Sequence, residues 1–347
     1  MMRDYAYRDA DLAVFRDELD GFLPHKIIDA HVHIWRRESI GITPDEYDAY
    51  RRYKPWTDFW YNEQFTAEDF SQCSARIYPG REISGMFFGL PFERADIGAM
   101  NAYVMENAAR HGAPFYYIPT QHENIFETQG RLDLLGRKGF VGFKPYPDLV
   151  QGSGGECGIF EMLNRSVLEF SDKHGLTVML HIPGKAKLRS EENRRDLLEI
   201  VRCYPNTRII MAHVGRAFTY RDVEGLIDFL LVYDNIWFDT ACVNDPMVLE
   251  YLFRRAHPGK LLYGTDAPIA YYRGKDVTLN NKHYFVTDKL VPWGFGPTND
   301  SLAQLTLIVY EELRAILFAM KAVHGKALAI PVEKFFYQNA QQILARP

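Results

Sequence analysis

The sequence predicts an α/β protein, a distorted (β/α)8 TIM barrel. Two observations predict this fold class. Apolar, strand-like segments alternate with amphipathic, helix-like segments, which is the pattern of repeated β-α units around a parallel sheet. Eight strand-like segments occur along the chain, and several of them end in a histidine or an aspartate. Barrels of this class often reach 347 residues with insertions, so we expect a single domain over residues 1–347.

Composition excludes several classes of protein. The apolar share of 47% is ample for a buried core, and the net charge of −5 provides no basic surface for nucleic acid or an anionic membrane. Because no long apolar run occurs and the first residues are too polar for a signal peptide, we expect a cytoplasmic protein. The four cysteines are far apart and form no C-x-x-C motif, which predicts free thiols in a reducing compartment.

The first predicted elements are a surface helix and the strand that follows it. Apolar residues at helical spacing occur before Pro24, which ends the helix. The strand at residues 27–35 contains His31 and His33, and side chains two apart in a strand point to the same face. Two adjacent imidazoles are half of a metal site. An isolated H-x-H also occurs by chance, so a polar strand end remains the alternative.

An aromatic-rich insertion follows this strand, at residues 36–65. A segment directly after a barrel strand lies on the face where barrel enzymes carry their sites, so the insertion predicts a lid or a pocket wall. The alternative is that its rings pack against the barrel or a partner subunit. The aromatic residues in question are Tyr47, Tyr50, Tyr53, Trp56, Phe59, Trp60 and Tyr61.

The remaining elements complete the predicted barrel. The other seven strands are expected at residues 83–88, 115–120, 140–144, 177–181, 208–213, 235–240 and 260–266. Amphipathic helices are expected at 97–110, 159–174, 191–203, 223–233 and 246–257. After the last strand we expect an irregular segment, 271–297, and then a C-terminal extension with helices at 300–321 and 332–344.

Metal-ligand residue types end three further strands. A parallel barrel brings the C-terminal ends of all its strands to one face. The fifth predicted strand ends in His181, the sixth in His213 and the eighth in Asp266. One histidine at a strand end is more often a hydrogen-bonded core residue. Together with the H-x-H of the first strand, however, the set predicts a metal centre.

The motifs around these residues resemble the amidohydrolase superfamily, in particular its amidohydrolase 2 branch. They occur in the family's order over nearly the whole chain. The branch contains hydrolases of lactones and related compounds, decarboxylases of aromatic and unsaturated acids, and a few hydratases, so the motifs are poor guides to substrate. They are Asp-Ala-His-Val-His at 29–33, His-Ile-Pro at 181–183, Ala-His-Val-Gly-Arg at 212–216, Tyr-Gly-Thr-Asp-Ala-Pro at 263–268 and Gln-Asn-Ala at 338–340.

The resemblance implies roles for the strand-end residues. Asp266 would accept a proton from an activated water and deliver it to the leaving group. His213 would either bind a second metal or, as we favour, lie beside a single ion, activating water and polarising the substrate. The implied metal ligands are His31, His33, His181 and Asp266, around a divalent ion for which we favour zinc over manganese or iron.

Three further residues are candidates for substrate binding. In two-metal relatives a lysine on the fourth strand is carboxylated and bridges the ions, whereas a plain ammonium at Lys144 would attract an acidic substrate group. Arg216 would clamp a carboxylate through its two-pronged guanidinium, or else form an ion pair away from the substrate. Trp35 would line the pocket or pack in the core.

These expectations lead to one favoured function and two alternatives. We expect a metal-dependent hydrolase that activates water to cleave a small, carboxylate-bearing lactone or amide. The first alternative is a metal-dependent, non-oxidative decarboxylase of an aromatic or unsaturated acid, which the aromatic insertion would suit. The second is a catalytically silent barrel, which the presence of Asp266 disfavours. The expected partners are a small-molecule substrate and, from the aromatic surface, further copies of the chain in a homo-oligomer.

Overall fold

The computed structural model describes residues 7–41, 43, 46, 64–91, 95–119, 128–287, 294–295, 304–323 and 330–345. Eight strands in these ranges form one parallel sheet in which sequence neighbours pair in chain order. This confirms the predicted barrel. The strands are β1 (Lys26–His33), β2 (Glu82–Phe88), β3 (Phe115–Tyr117), β4 (Phe140–Phe143), β5 (Thr177–Leu180), β6 (Arg208–Met211), β7 (Ile236–Asp239) and β8 (Leu261–Leu262).

Backbone hydrogen bonds close the sheet between its first and last strands. The Ala30 amide donates to the Tyr263 carbonyl at 2.9 Å, just beyond β8. The Asp266 amide donates to the His31 carbonyl at 2.9 Å, and the His33 amide donates to the Ala267 carbonyl at the same distance. The segment after β8 therefore runs beside the end of β1, which brings Asp266 next to the two histidines.

Helices alternate with the strands, and side-chain caps start several of them. Thr66, Ser190 and Asp245 each accept a hydrogen bond from a backbone amide in the first turn that follows. The helices are α1 (Asp9–Val14), α2 (Ala67–Ile77), α3 (Ile97–His111), α4 (Thr128–Leu135), α5 (Ile159–Met162), α6 (Arg165–Lys173), α7 (Glu191–Cys203), α8 (Tyr220–Val223), α9 (Pro246–Arg255), α10 (Ile308–Val323) and α11 (Asn339–Leu344). None of the helices in the described part of the chain is long and apolar enough to cross a membrane.

Two helix predictions are wrong in detail. The helix expected at 159–174 is two helices, because Asn164 leaves the helical conformation and caps α6 through the Ser166 amide. The helix expected at 223–233 is absent: α8 ends at Val223, and only a short 3-10 turn, Asp228–Leu230, follows. Gly225 adopts a φ of +69°, which interrupts a right-handed helix at that point.

The segment after β8 is also more regular than expected. It contains a small second sheet of β9 (Gly274–Leu279), β10 (Lys282–Thr287) and β11 (Gly294–Phe295). Asn280 and Asn281 join β9 to β10 with φ values of +50° and +61°, as a two-residue hairpin turn requires. The Asn-Asn pair at 280–281 is the sequence signal for this hairpin, because asparagine tolerates a positive φ better than most residues.

Some predictions fall outside the described residues. They include the aromatic residues of the insertion, Tyr47, Tyr50, Tyr53, Trp56, Phe59, Trp60 and Tyr61, as well as the end of the third predicted strand at Thr120 and the predicted start of the C-terminal helix at Asp300. Within the described residues, that helix is α10, which starts at Ile308.

Candidate active site

Two histidines and an aspartate meet at the C-terminal end of the barrel. Oδ1 of Asp266 lies 3.2 Å from Nε2 of His31 and 3.0 Å from Nε2 of His33. All three side chains are buried. They converge because His31 and His33 share one face of β1 and because barrel closure places Asp266 beside them.

Hydrogen bonds fix which nitrogen of three histidines faces this centre. Nδ1 of His31 donates to Oδ2 of Asp239 at 3.0 Å, and Nδ1 of His33 donates to the Gly89 carbonyl at 3.0 Å. Nδ1 of His213 donates to the Ala241 carbonyl at 2.8 Å. With the proton on Nδ1, each Nε2 carries a free lone pair, which is the form that binds a metal or accepts a proton.

Asp239 is a site residue that sequence reasoning missed. It is fully buried at the end of β7, and besides His31 it accepts the amide of His213 at 2.7 Å and that of Ala241 at 3.2 Å. One carboxylate therefore supports groups from two other strands. The signal was available, because Asp239 ends an apolar strand in the same way as Asp266 does.

His181 lies on the same cavity but is less constrained. Its ring centroid is 5.4 Å from that of His213, and its Nδ1 has no hydrogen-bond partner among the described residues. Burial, together with the nearby Arg216, holds the pKa of His181 well below its usual value. The sequence predicted His181 as a metal ligand; the structure places it on the wall beside the His31, His33 and Asp266 cluster and not within it.

The electrostatics favour an ionised carboxylate at Asp266. Burial alone would raise the pKa of Asp266, but His31 and His33 outweigh it and hold that pKa well below the usual value. Burial lowers the pKa of His33, and it lowers the pKa of His213 to about 4. At His31 burial is outweighed by Asp239 and Asp266, which raise its pKa above the usual value. A metal ion bound at Nε2 of His31 would displace the proton there.

The donor set fits one divalent ion. His31, His33 and Asp266 each present a ligand atom within 4.8 Å of the others. The separations of Asp266 Oδ1 from the two histidine nitrogens, 3.2 and 3.0 Å, are near the roughly 3.3 Å expected between ligands of a tetrahedral zinc ion. A second group, His31, His213 and Asp239, shares His31, whose Nδ1 is already bonded to Asp239.

A left-handed turn follows β6 and carries two cavity residues. His213, Val214, Gly215 and Arg216 have φ values of +55°, +55°, +71° and +62°. Such a conformation costs an L-residue about 1 to 2 kcal/mol. Asp266 is also left-handed, with a φ of +67°. Backbone strain of this kind concentrates at functional sites, and here it directs His213 and Arg216 towards the same cavity.

The cavity above the cluster has a volume of about 300 Å³. Arg216 lines it, with Nη1 held by the carbonyls of Ile182 and Gly184 at 2.8 and 3.0 Å. Its other guanidinium nitrogens form no hydrogen bond to the residues that the structure describes. Besides the histidines, Asp266 and Arg216, the wall is formed by residues that no sequence motif had indicated as site residues: Leu90, Pro91, Tyr146, Asp148, Phe218, Cys242, Ile269 and Phe285.

The structure does not bring Lys144 and Trp35 to this wall. Lys144 is fully buried, and its Nζ lies 4.9 Å from the ring centroid of Tyr146, without a hydrogen-bond partner among the described residues. Burial lowers the pKa of Lys144 to about 8. Trp35 is 1% exposed and pairs its backbone with Phe65, so it packs in the core. Residue type alone did not distinguish the cavity wall from the layer beneath it.

A TIM barrel with a buried His-His-Asp cluster at its C-terminal end has the arrangement of a metal-dependent barrel enzyme. Sequence comparison identifies the family: the amidohydrolase model of the amidohydrolase 2 family matches residues 28–282. The chain therefore belongs to this family, which confirms the resemblance seen in the motifs. An enzyme of this family acts on a small molecule with the help of a metal. No curated protein sequence matches the chain.

Solved structures agree on the fold. Amidohydrolase 2 from Bifidobacterium longum subsp. infantis is 14% identical, with a TM-score of 0.53, 93% of this chain covered and 100% of that chain. The 2,6-dihydroxybenzoate decarboxylase from Rhizobium is 12% identical, with a TM-score of 0.52 and coverages of 93% and 98%. A probable 2-pyrone-4,6-dicarboxylic acid hydrolase from Acinetobacter baumannii is 15% identical, with a TM-score of 0.51 and coverages of 92% and 98%. At these identities the similarity is one of fold alone.

Proposed function

We propose that the chain is a metal-dependent hydrolase that cleaves a small, carboxylate-bearing lactone or amide. The observation that carries the proposal is the contact of Asp266 Oδ1 with Nε2 of His31 and of His33, at 3.2 and 3.0 Å, on the floor of a cavity that Arg216 also lines. A metal centre and a carboxylate-binding group thus face the same small volume.

A single divalent ion fits this centre best, and zinc suits its nitrogen and oxygen donors, with manganese and iron as alternatives. His31, His33 and Asp266 would hold it, and His181, whose Nδ1 is unpartnered among the described residues, would complete the set. Such an ion supplies Lewis-acid chemistry and lowers the pKa of water towards about 7. A neutral imidazole has one free lone pair, and Asp239 occupies Nδ1 of His31, which argues against a second ion there.

Asp266 and His213 would handle the proton of the attacking water. The ionised carboxylate of Asp266 accepts that proton and passes it to the leaving oxygen or nitrogen. His213 is neutral, and its Nδ1 proton is engaged by Ala241, so its Nε2 accepts a hydrogen bond. In this tautomer His213 orients the water and does not polarise the substrate by donation, a narrower role than the motif resemblance implies.

Arg216 would bind the substrate carboxylate. The carbonyls of Ile182 and Gly184 fix one nitrogen of the guanidinium. The remaining N–H groups have the two-pronged geometry that pairs with a carboxylate. This arrangement would hold the substrate in one orientation over the metal centre.

Decarboxylation of an aromatic or unsaturated acid is the second candidate, because Tyr146, Phe218 and Phe285 give the cavity aromatic sides. In that reaction the bond to the carboxylate carbon breaks, carbon dioxide leaves, and a proton taken from water by Asp266 or by Nε2 of His213 is passed to the carbon that remains. Solved structures with this fold include a hydratase, a probable hydrolase and a decarboxylase, so the fold does not choose between the reactions.

The deciding experiment combines metal analysis with product analysis. We expect about one zinc, manganese or iron ion per chain in protein purified without chelator, and loss of that ion in His31→Ala. Ring-opened acid from 2-pyrone-4,6-dicarboxylate would support the hydrolase, whereas carbon dioxide from 2,6-dihydroxybenzoate or 5-carboxyvanillate would support the decarboxylase. Two ions per chain would instead favour a carboxylated, bridging Lys144. Metal-free native protein would contradict both reactions.

We also propose that the protein acts in the cytoplasm as a homo-oligomer. All four cysteines are unpaired, which suits a reducing compartment. Phe318 on α10 is 59% exposed, which is a large apolar side chain for a free surface. Sedimentation of the purified protein measures the assembly, and a monomer at micromolar concentration would contradict this part of the proposal.

A further inference from the structure

The small sheet after β8 forms one side of the cavity. Phe285 on β10 lines the cavity directly. Two hydrogen bonds attach the first half of β9 to other parts of the chain: the Gly274 amide donates to the Thr306 carbonyl at 2.9 Å, and the Asp276 amide donates to Oδ1 of Asn244 at 3.3 Å. The first half of β9 is therefore anchored beside the loop that follows β7.

His283 on β10 connects this sheet to a second cavity residue, Phe218, which follows the turn after β6. The His283 and Phe218 rings are stacked, with centroids 4.7 Å apart and planes 20° from parallel. Phe285 packs edge-on against the same imidazole, with centroids 4.7 Å apart and an angle of 81°. Phe218 in turn lies 5.8 Å from the ring of His213. His283 is thus the common support of both phenyl rings.

Asp276 constrains His283. Its carboxylate side chain is 2% exposed, and Oδ2 lies 3.2 Å from Nε2 of His283. Neither carboxylate oxygen has a well-aligned hydrogen-bond donor among the described residues. The close contact with the imidazole is a polar interaction of the kind that a buried carboxylate requires, and it favours one orientation of the imidazole.

We propose that His283, oriented by Asp276, is a positioning residue that sets the specificity of the cavity for flat carboxylates. By supporting Phe218 and Phe285 it maintains two phenyl surfaces against which a planar ligand packs better than a puckered ligand of the same size. This inference rests on the proposed function, because it concerns the cavity that would bind the substrate. It names the shape of the ligand rather than the reaction.

The test uses two probes that differ in planarity and share a carboxylate, benzoate and cyclohexanecarboxylate. Calorimetric titration of the zinc-loaded full-length protein gives both dissociation constants, and their ratio is the readout. We expect the wild type to prefer benzoate, and His283→Leu to reduce that preference by about three- to tenfold, the usual size of an aromatic contact. His283→Phe, which keeps a ring at this position, should retain most of the preference.

Asp276→Asn and a matched control complete the design. Asp276→Asn should lower the preference in the same direction by a smaller factor, because it leaves the imidazole in place but less constrained. Tyr284→Ala, next to His283 on the same strand and 36% exposed, should leave the ratio unchanged. If His283→Leu does not fold, the comparison of Asp276→Asn with the wild type remains decisive.

The outcomes separate this inference from the proposed function. A wild type without preference for benzoate, or an unchanged ratio in both His283→Leu and Asp276→Asn, would overturn the role of His283. An equal loss of the preference for benzoate in His283→Phe and His283→Leu would also overturn it, because the preference would then not depend on an aromatic ring at this position. A protein that shows the expected ratios but no turnover would leave the role of His283 standing and refute the proposed reaction.

Discussion

Asp239 Oδ2 lies 3.0 Å from Nδ1 of His31, and the other oxygen of the same carboxylate accepts the amide of His213 at 2.7 Å. A single residue at the end of β7 thus orients a residue of the metal cluster on β1 and fixes the start of the turn that carries the proposed water-orienting histidine. Carboxylates in this position raise the basicity of a ligating imidazole and hold its tautomer.

We expect Asp239→Asn to weaken zinc binding by about 10- to 100-fold. The neutral side-chain amide of the variant is a weaker acceptor than the carboxylate for the Nδ1 proton of His31, so the imidazole becomes a weaker metal ligand. Competition with a chromophoric chelator measures the affinity. Asp234→Asn is the matched control, since Asp234 precedes the same strand and is exposed. Equal zinc affinity in Asp239→Asn and the wild type would show that this carboxylate does not support the metal cluster.

His213→Asn should retain the metal but lose turnover. His213 is outside the His31, His33 and Asp266 cluster, so zinc content per chain should stay near that of the wild type. Loss of the hydrogen-bond acceptor that orients the attacking water should lower kcat by about 10²- to 10⁴-fold on whichever probe is turned over. Metal analysis and steady-state kinetics on the same preparation give both values. A His213→Asn protein without zinc would instead identify His213 as a ligand.

The same substitution provides a test of pH dependence in the metal-free protein. The pKa of His213 is lowered from its ordinary value near 6.5 to about 4 by burial, so the unfolded chain binds this proton more readily than the folded one. The contribution of neutral His213 to the free energy of unfolding is fully present above pH 6.5, and it is lost as the pH falls from 6.5 towards 4. Between pH 7 and pH 5 the free energy of unfolding of the wild type should fall by about 2 kcal/mol more than that of His213→Asn. Urea unfolding at both pH values measures it, and identical losses would contradict a neutral, buried His213.

Arg216→Met should selectively weaken the binding of carboxylates. Loss of a charge-assisted pair of about 1.5 to 3 kcal/mol predicts roughly 10- to 100-fold weaker binding of benzoate. Methyl benzoate, which has no charge, should bind equally well to both proteins. Arg189→Met is a suitable control, because Arg189 is half-exposed and pairs with Asp222 at 2.9 Å. A parallel loss of both ligands in Arg216→Met would indicate a general disruption of the cavity.

Gly215→Ala should destabilise the fold more than Gly225→Ala does. Both glycines have nearly the same positive φ, +71° and +69°, so the backbone cost is shared. A Cβ at Gly215 would lie 2.9 Å from Cδ1 of Leu188, whereas nothing lies within 4 Å at Gly225. The difference in unfolding free energy should therefore be about 1 to 3 kcal/mol. Denaturant unfolding of the two variants measures this difference. Equal decreases in unfolding free energy would show that the Leu188 side chain moves away from the new Cβ without loss of stability.

The sequence by itself determined the fold class and the face on which the site lies. Alternating elements predicted the barrel, and period-two alternation in β1 placed His31 and His33 on one face. Because parallel strands end together, His181, His213 and Asp266 could be assigned to that face from strand ends alone. These inferences depend on local patterns, which residue types encode directly.

Only the tertiary structure decided which side chains meet. Lys144 and Arg216 are both basic residues next to strand ends. Lys144 is nevertheless fully buried and outside the cavity wall, whereas Arg216 lines the cavity. Phe218 contacts His283, the neighbour of Phe285 on β10, from a segment more than 60 residues away in sequence. Such contacts depend on strand register and on the left-handed turn after β6, where packing of the whole barrel outweighs local backbone preference.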